Sequence, residues 1–477
     1  MQSQDLLTSY QAFNAKFDFE AKAEFALTEL QWKDVQQFRQ WRFSLNRYEV
    51  GGGKTVVSTV VSLLDGAETT LVIVLPILIK PWVEWLERFG EVLEYSGDKH
   101  ERKQVDPTGV RWVVMSHGIF RRDFEKLYAA FKGKHVDTII DEAHWLKNIE
   151  SVLYQYTGVM TNRPKGSLQM LTGTPTSKPE DIYAYLRLMR TTWYRNYQHF
   201  ENSHVAERAY MGKETVYKNL DILAHRFDSR SIVRTKEEVH GYNIKPLFPN
   251  TSYQLSDEHM AFYTQVMEEQ LVELPDGGFI DATTANKLYH LAQQLIVNWG
   301  YFTENPKHIS TAYELIDTLI ELNDPFNKAN SKLIIWTQYK ITSRSVLNYL
   351  SIKYKVKVAA AYSEVDSAAG AQAFMHDPDT RLGVFQYQSA GAGLNPQHVC
   401  WDNLFLETNT VPLYNIQAMG RTDRVGQKHI PLMRFARADG TIQTGLLENL
   451  LRKDDTLNKV ERTKKSLRAL LLGGNLN

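Results

Sequence analysis

The chain has 477 residues, 43% hydrophobic and 23% charged, which is ordinary for a globular protein and leaves room for roughly two or three domains. Its 55 basic and 55 acidic side chains cancel, so it is no polycation, and any contact with nucleic acid must use a local basic surface. A single cysteine, Cys400, excludes an internal disulfide and a cysteine-based zinc finger. The longest apolar run, residues 71–79, is far short of the ~20 residues a membrane-spanning helix needs, and the N-terminus lacks the pattern of a secretory signal. The expectation is a cytoplasmic protein (host cytoplasm if viral) with no membrane association.

In chain order, "RFSL" (residues 42–45) reads as a short strand. It leads into Gly51, Gly52, Gly53, Lys54 and Thr55, then into a helix whose Val56, Val57, Val60, Val61 and Leu64 form a packing face. The strict phosphate-loop pattern G-x-x-x-x-G-K-[ST] wants a glycine where Tyr48 stands. The order strand, glycine loop, helix still suits a phosphate, because successive backbone N–H groups and a helix N-terminus face an anion. On that reading Gly51 and Gly53 let the backbone come close, Lys54 reaches the β- and γ-phosphates, and the Thr55 hydroxyl ligates Mg²⁺. Taken alone, a flexible glycine turn with a surface lysine explains the same residues.

Further along, "TLVIVLP", "VRWVVMS", "VDTIIDE" and "LQMLTGTP" read as buried strands, and "SKLIIWTQ", "KVAAAYS", "RLGVFQYQ" and "PLMRFARA" repeat the pattern in the second half. Continuous apolar strands alternating with helices predict an α/β protein with two parallel sheets, each covered on both faces. Residues 199–330 are mostly helical in pattern, with a Gly- and Pro-marked linker at residues 240–250. The predicted division is residues 1–235, 236–330, 331–451 and a basic C-terminal helix at 452–477. Trp82, Trp85, Leu86 and Phe89 follow helical spacing and read as core. His199, His204 and His225 lack metal-ligand spacing with any cysteine, so no zinc is assigned.

Two further stretches carry chemistry. "VDTIIDEAHWLKN" (residues 136–148) puts Asp141 and Glu142 at the end of an apolar strand, where open α/β sheets bind ligands. Asp141 is suited to hold Mg²⁺ and Glu142 to orient and deprotonate an attacking water. "NIQAMGRTDRVGQ" (residues 415–427) carries Arg421 and Arg424 three apart, on one face if the segment is helical. Cations of this kind stabilise charge that develops in phosphoryl transfer.

These segments together resemble the Swi/Snf-like branch of the superfamily-two helicase-like ATPases, over about residues 27–451. "YEVGGGKT" is similar to that family's D-E-x-G-x-G-K-T, which accounts for the missing first glycine. "DEAHWLKN", "LTGTPTSKPEDIY", "IVRTKEEV", "KLIIWTQY", "SAGAGLN" and "QAMGRTDRVGQ" follow in the family's order. The resemblance implies two RecA-like parallel-sheet lobes with helical insertions, ATP and Mg²⁺ as cofactors, and DNA, chiefly duplex, as partner, with protein partners unknown. It implies an adenine-reading Gln36, with Gln37 as the alternative, and a coupling role for His144, Thr172 and Thr174. Gly391, Gly393 and Asn395 would lie near ATP in the second lobe, with Gln417 ordering the arginine segment. Ser116, His117, Thr337, Gln338 and Ser389 would contact a strand. The chain departs from the family at Arg47 and Tyr48, where alanine and an acid are usual, at Glu407, where aspartate is usual, and at Thr410, where an aromatic is usual. The function expected is an ATP-dependent translocase on duplex DNA. A strand-separating DNA or RNA helicase and an ATP-dependent clamp or loader subunit are the alternatives. The basic tail, with Lys459, Arg462, Lys464, Lys465 and Arg468, reads equally as a DNA-binding, bracing or solvated helix.

Overall fold

The computed structural model of the chain describes residues 9–18, 26–208, 215–269, 271–273, 279–281, 285–390 and 394–461. It divides into two compact units. The first takes the chain to Asn243 and a C-terminal stretch beginning at Thr456; the second begins at Ile244 and runs to Asp455.

The first unit is built on β1 (Phe43–Tyr48), β2 (Thr69–Val74), β3 (Val92–Glu94), β4 (Trp112–Ser116), β5 (Val136–Asp141) and β6 (Leu168–Leu171). A small antiparallel hairpin, β7 (Val205–Glu207) with β8 (Val216–Tyr217), precedes the last sheet strand, β9 (Ser231–Arg234). The sheet order is β3-β4-β2-β5-β6-β1-β9, and every pairing is parallel. Successive side chains of a strand point to opposite faces, and β2 shows the consequence. Leu71 and Ile73 enter one apolar cluster, while Val72 and Val74 enter the other. Leu171 of β6 pairs with Asn46 of β1 on one side and Asp141 of β5 on the other. The carboxyl ends of β1 and β5 are thus brought to either side of a single strand.

The second unit repeats the plan. Its strands are β10 (Thr251–Tyr253), the separate hairpin β11 (Leu271–Glu273) and β12 (Phe279–Asp281), then β13 (Lys332–Thr337), β14 (Val358–Ala361), β15 (Leu382–Gln386), β16 (Cys400–Phe405) and β17 (Leu432–Ala438). The main sheet has the order β10-β17-β16-β13-β15-β14, again all parallel. Along β13, Leu333 and Ile335 face one cluster and Ile334 and Trp336 the other. Two parallel sheets, each with helices on both faces, give the α/β architecture of two RecA-like lobes.

The segment between the halves is not a separate layer. Helices Ala285–Phe302 and Ala312–Asn323 place Leu295, Ile296, Ile316 and Ile320 in the same cluster as Leu333, Ile335 and Val346 of the second unit. The stretch that reads as a linker is tied down as well: Leu247 donates its N–H to the Pro431 carbonyl at 2.9 Å and accepts from Met433 at 2.8 Å. Residues 199–330 also hold β9 and β10, which a mostly helical pattern does not suggest. No helix among the described residues is long and apolar enough to cross a membrane. Lys459 lies in the helix Ile442–Glu461, while Arg462, Lys464, Lys465 and Arg468 lie outside the described residues.

Candidate nucleotide site

The glycine loop follows β1 and opens the helix Lys54–Asp65. Gly51 and Gly53 have φ of +82° and +89°, values that side-chain-bearing residues rarely adopt. The helix has no side-chain cap at its N-terminus, where Gly53 takes the capping position in the left-handed region. An uncapped N-terminus leaves backbone N–H groups for an anion. Lys54 Nζ rests on the carbonyls of Tyr48 at 2.9 Å and Glu49 at 3.2 Å, folded over its own loop. From the other side comes the loop after β6: a Cβ on Gly173 would lie 3.0 Å from the Tyr48 carbonyl and 3.5 Å from Lys54 Nζ. A side chain there would force the neighbouring backbone to give by a few tenths of an ångström. Thr172 anchors the same loop by donating its N–H to Asn46 at 3.0 Å, and Thr174 donates its N–H to the Thr172 hydroxyl at 3.2 Å.

The glutamine that meets the glycine loop is Gln31, not Gln36. Thr28 and Gln31 form a capping box at the start of the helix Glu29–Trp41. The Gln31 Oε1 accepts from Thr28 N at 2.9 Å, and Nε2 donates to the Gly52 carbonyl at 3.2 Å. A Cβ on Gly53 would come within 2.4 Å of that Nε2. Gln36 lies more than a helical turn further on and accepts from Arg39 at 3.3 Å, while Gln37 donates to Gln40 at 3.5 Å. The signal in the sequence is the capping box itself, a Thr followed three residues later by Gln, placed just before a loop rich in glycine.

The two departures before the loop are absorbed by new partners. Tyr48 is fully buried, and its hydroxyl donates to Asp34 at 2.6 Å. Asp34 in turn takes two bonds of 2.7 Å from Arg234 of β9. Arg47, also buried, pairs with Asp228, donates to the Glu461 carbonyl at 2.8 Å and stacks 4.3 Å over Phe227.

Asp141 ends β5, half-buried, with Oδ2 accepting from Trp82 Nε1 at 2.9 Å and Oδ1 from Glu142 N at 2.8 Å. Burial, and next the Glu142 charge, push its carboxyl up to about 6. Glu142 stands in the left-handed region with φ +49° and ψ +50°. A non-glycine residue there costs on the order of 1–3 kcal/mol and persists only where its surroundings hold it. His144 Nδ1 lies 3.1 Å from a Glu142 carboxylate oxygen, linking the acid to the next turn. His117 Nε2 is 3.1 Å from the Asp141 carbonyl, and burial pulls the imidazole down to about 4, so it is neutral at physiological pH. As neutral donor it supports the Asp141 backbone. Ser116 caps the helix His117–Arg122 by accepting from Ile119 N at 3.1 Å. Ser116 and His117 are both buried and hydrogen-bonded inside the unit.

In the second unit the helix Pro412–Met419 ends before the arginines, which correct the expected helical pair. Gly420 closes the helix, and Arg421 and Arg424 lie in the turns that follow. The turns are pinned from within: Asn403 of β16 donates to the Thr422 hydroxyl at 2.9 Å, and Gln427 donates to the Cys400 carbonyl at 3.1 Å. Arg424 donates to the Asn395 side chain, and desolvation, with Arg421 beside it, lowers the guanidinium to about 10, still charged at neutral pH. Arg421 and Gln417 are buried, Gln417 on the helix itself. Gly391 and Gly393 lie outside the described residues. Glu407 is a buried hub at the end of β16. It accepts from Gln338 N at 2.8 Å, Tyr339 N at 3.0 Å and the Thr342 hydroxyl at 2.6 Å, and burial raises it to about 7. Thr337 is buried against Ser343, at 2.7 Å, whereas Gln338 and Ser389 are half-buried.

A glycine loop with a lysine folded over it and an Asp–Glu pair thus stand at the carboxyl ends of β1 and β5, on either side of β6. The model of the SNF2-related domain matches residues 8–297, more than half the chain, and the chain belongs to that family, in the Swi/Snf-like branch of the superfamily-two helicase-like ATPases. Among curated relatives, the DNA annealing helicase and endonuclease ZRANB3 of Mus musculus is 24% identical over 85% of this chain and 38% of its own length. The ISWI chromatin-remodeling complex ATPase ISW1 of Saccharomyces cerevisiae is 22% identical over 75% of this chain and 32% of its own. The chain thus spans less than two-fifths of either relative. A solved Sulfolobus solfataricus SWI2/SNF2 ATPase core in complex with dsDNA covers 93% of this chain and 96% of its own at 18% identity, with a TM-score of 0.41.

Proposed function

We propose that the chain is an ATP hydrolase that uses the energy of ATP to move along duplex DNA and remodel DNA or protein–DNA complexes. The observation that carries this reading is the meeting of Lys54, Asp141 and Glu142 at the carboxyl ends of β1 and β5, in a chain of the SNF2-related family. Gly51, Gly52, Gly53 and Lys54 hold the triphosphate, with Lys54 Nζ exchanging its two carbonyl partners for phosphate oxygens. Gln31 fixes the loop through the Gly52 carbonyl. The hydroxyl of Thr55 and the carboxylate of Asp141 fit a Mg²⁺ ion: both are hard oxygen donors, and the single donors on each Asp141 oxygen leave further lone pairs for the ion. That ion would neutralise charge on the phosphate oxygens.

Glu142 takes a proton from the attacking water, and its contact with His144 transmits its state to the loop beyond. Arg421 and Arg424 supply positive charge that stabilises the charge growing on the transferred phosphate. The mouse relative, a DNA annealing helicase and endonuclease, supports DNA as the partner; because the chain spans only 38% of that relative, its endonuclease activity is not carried over.

The test compares ATPase stimulation by duplex DNA, single-stranded DNA and RNA, with two displacement assays under the same conditions. Duplex stimulation, and ATP-driven removal of a triplex-forming strand without unwinding of a forked duplex, is the expected outcome. Unwinding without triplex removal assigns a strand-separating helicase instead. Stimulation with neither assigns a clamp or loader.

A further inference from the structure

Resting on the assignment of Asp141 as a metal-holding carboxylate, we infer that Trp82 is a positioning residue for ATP hydrolysis, fixing the Asp141 carboxylate through its indole N–H. By spacing alone Trp82 is a core residue, one of four apolar positions along a helical pattern. The structure gives it a second task. It stands on the helix Ile79–Leu86, almost wholly buried in the cluster that holds Val72, Val74 and Ile139. Its Nε1 donates to Asp141 Oδ2 at 2.9 Å.

The terminal torsion of an aspartate is broad and two-fold, so a lone carboxylate does not choose an orientation. Here two donors from different elements choose it. The Glu142 N–H holds Oδ1 at 2.8 Å and Trp82 holds Oδ2, each leaving further lone pairs for a cation or its waters. The indole itself cannot swing away, because its ring is packed in the core. Donors behind a metal ligand commonly change metal affinity by about 10- to 100-fold when removed.

The same helix supplies a control. Trp85 is also buried, and its Nε1 donates to the Thr59 hydroxyl at 3.0 Å, on the helix after the glycine loop. Trp85→Phe removes an indole N–H from the same helix without touching a carboxylate.

The experiment measures equilibrium binding of a fluorescent ATP analogue, mant-ATP, with saturating Mg²⁺ and with EDTA, in wild type, Trp82→Phe and Trp85→Phe. Thermal midpoints and the Mg²⁺ concentration for half-maximal ATPase are measured alongside. In Trp82→Phe the gain in affinity on adding Mg²⁺ should shrink, and the half-maximal Mg²⁺ rise, by about tenfold. Binding in EDTA should match wild type, and Trp85→Phe should match wild type in Mg²⁺ dependence at a similar thermal midpoint. An unchanged Mg²⁺ dependence in Trp82→Phe, or an equal change in Trp85→Phe, overturns the positioning role while leaving the nucleotide site standing. Wild type that binds mant-ATP no better with Mg²⁺ than with EDTA overturns the metal assignment itself. Trp82→Met, which fills the site with a flexible apolar chain and lacks the N–H, takes the place of Trp82→Phe where that variant does not fold.

Discussion

The two lobes share a parallel-sheet plan and differ in how their functional residues are held. In the first, each acts from the end of a strand or the start of a helix: Lys54 opens its helix, Asp141 closes β5, and Gln31 belongs to a capping box. In the second, Arg421 and Arg424 lie in turns after a short helix, held through neighbours such as Thr422 and Gln427. Strand ends are set by the whole hydrogen-bond ladder, so the first lobe presents a preorganised cradle. Turns are set by a few contacts, so the second presents charges whose position depends on a handful of side chains.

That contrast can be broken by mutation. Lys54→Ala should abolish ATP turnover in a protein that still melts cooperatively, because the lysine's reach to the transferred phosphate has no substitute. Wild-type turnover in the purified variant would remove the phosphate-loop assignment. Glu142→Gln should hydrolyse ATP orders of magnitude more slowly while binding it, since the base is lost and Asp141 is spared; loss of binding with unaltered turnover per bound ATP would reverse the two roles.

Arg421→Ala and Arg424→Ala should each lower the maximal rate, by about 10³-fold or more if they act as arginine fingers, with a smaller effect on nucleotide affinity. Steady-state kinetics with duplex DNA decides it. Unchanged maximal rates in both would mean that the second lobe contributes no charge to hydrolysis. The smallest effect sharpens the first lobe alone. Gln31→Ala should raise the KM for ATP by about tenfold, the size of one lost hydrogen bond to a fixed loop, and Gln36→Ala should leave it unchanged. The reverse pattern would support Gln36 as the adenine reader.

Much of this was legible in the residues. The strands announced themselves as apolar runs because parallel strands covered on both faces leave no room for alternation, as in β2 and β5. The glycine loop, the Asp–Glu pair and the arginine segment were readable because their chemistry needs particular residue types at fixed spacings. β16 was not readable, although it is central in its sheet: Asp402 and Asn403 interrupt its apolar pattern. They are tolerated because Arg434 pairs with Asp402, while Asn403 accepts from the Trp336 indole at 3.2 Å and donates to Thr422. Those partners lie 67, 32 and 19 residues away, beyond any local pattern.

The sequence by itself therefore determined the class of fold and the family, since strand burial and the family's motifs are written in local composition and spacing. Only the tertiary structure decided which glutamine meets the glycine loop, that the arginines leave their helix, and that Trp82 holds a carboxylate as well as filling the core. Each of those depends on a hydrogen bond between elements distant in the chain: Gln31 to Gly52, Asn403 to Thr422, Trp82 to Asp141. A hydrogen bond needs its atoms within about 3 Å and in line, and no periodicity along a chain encodes that.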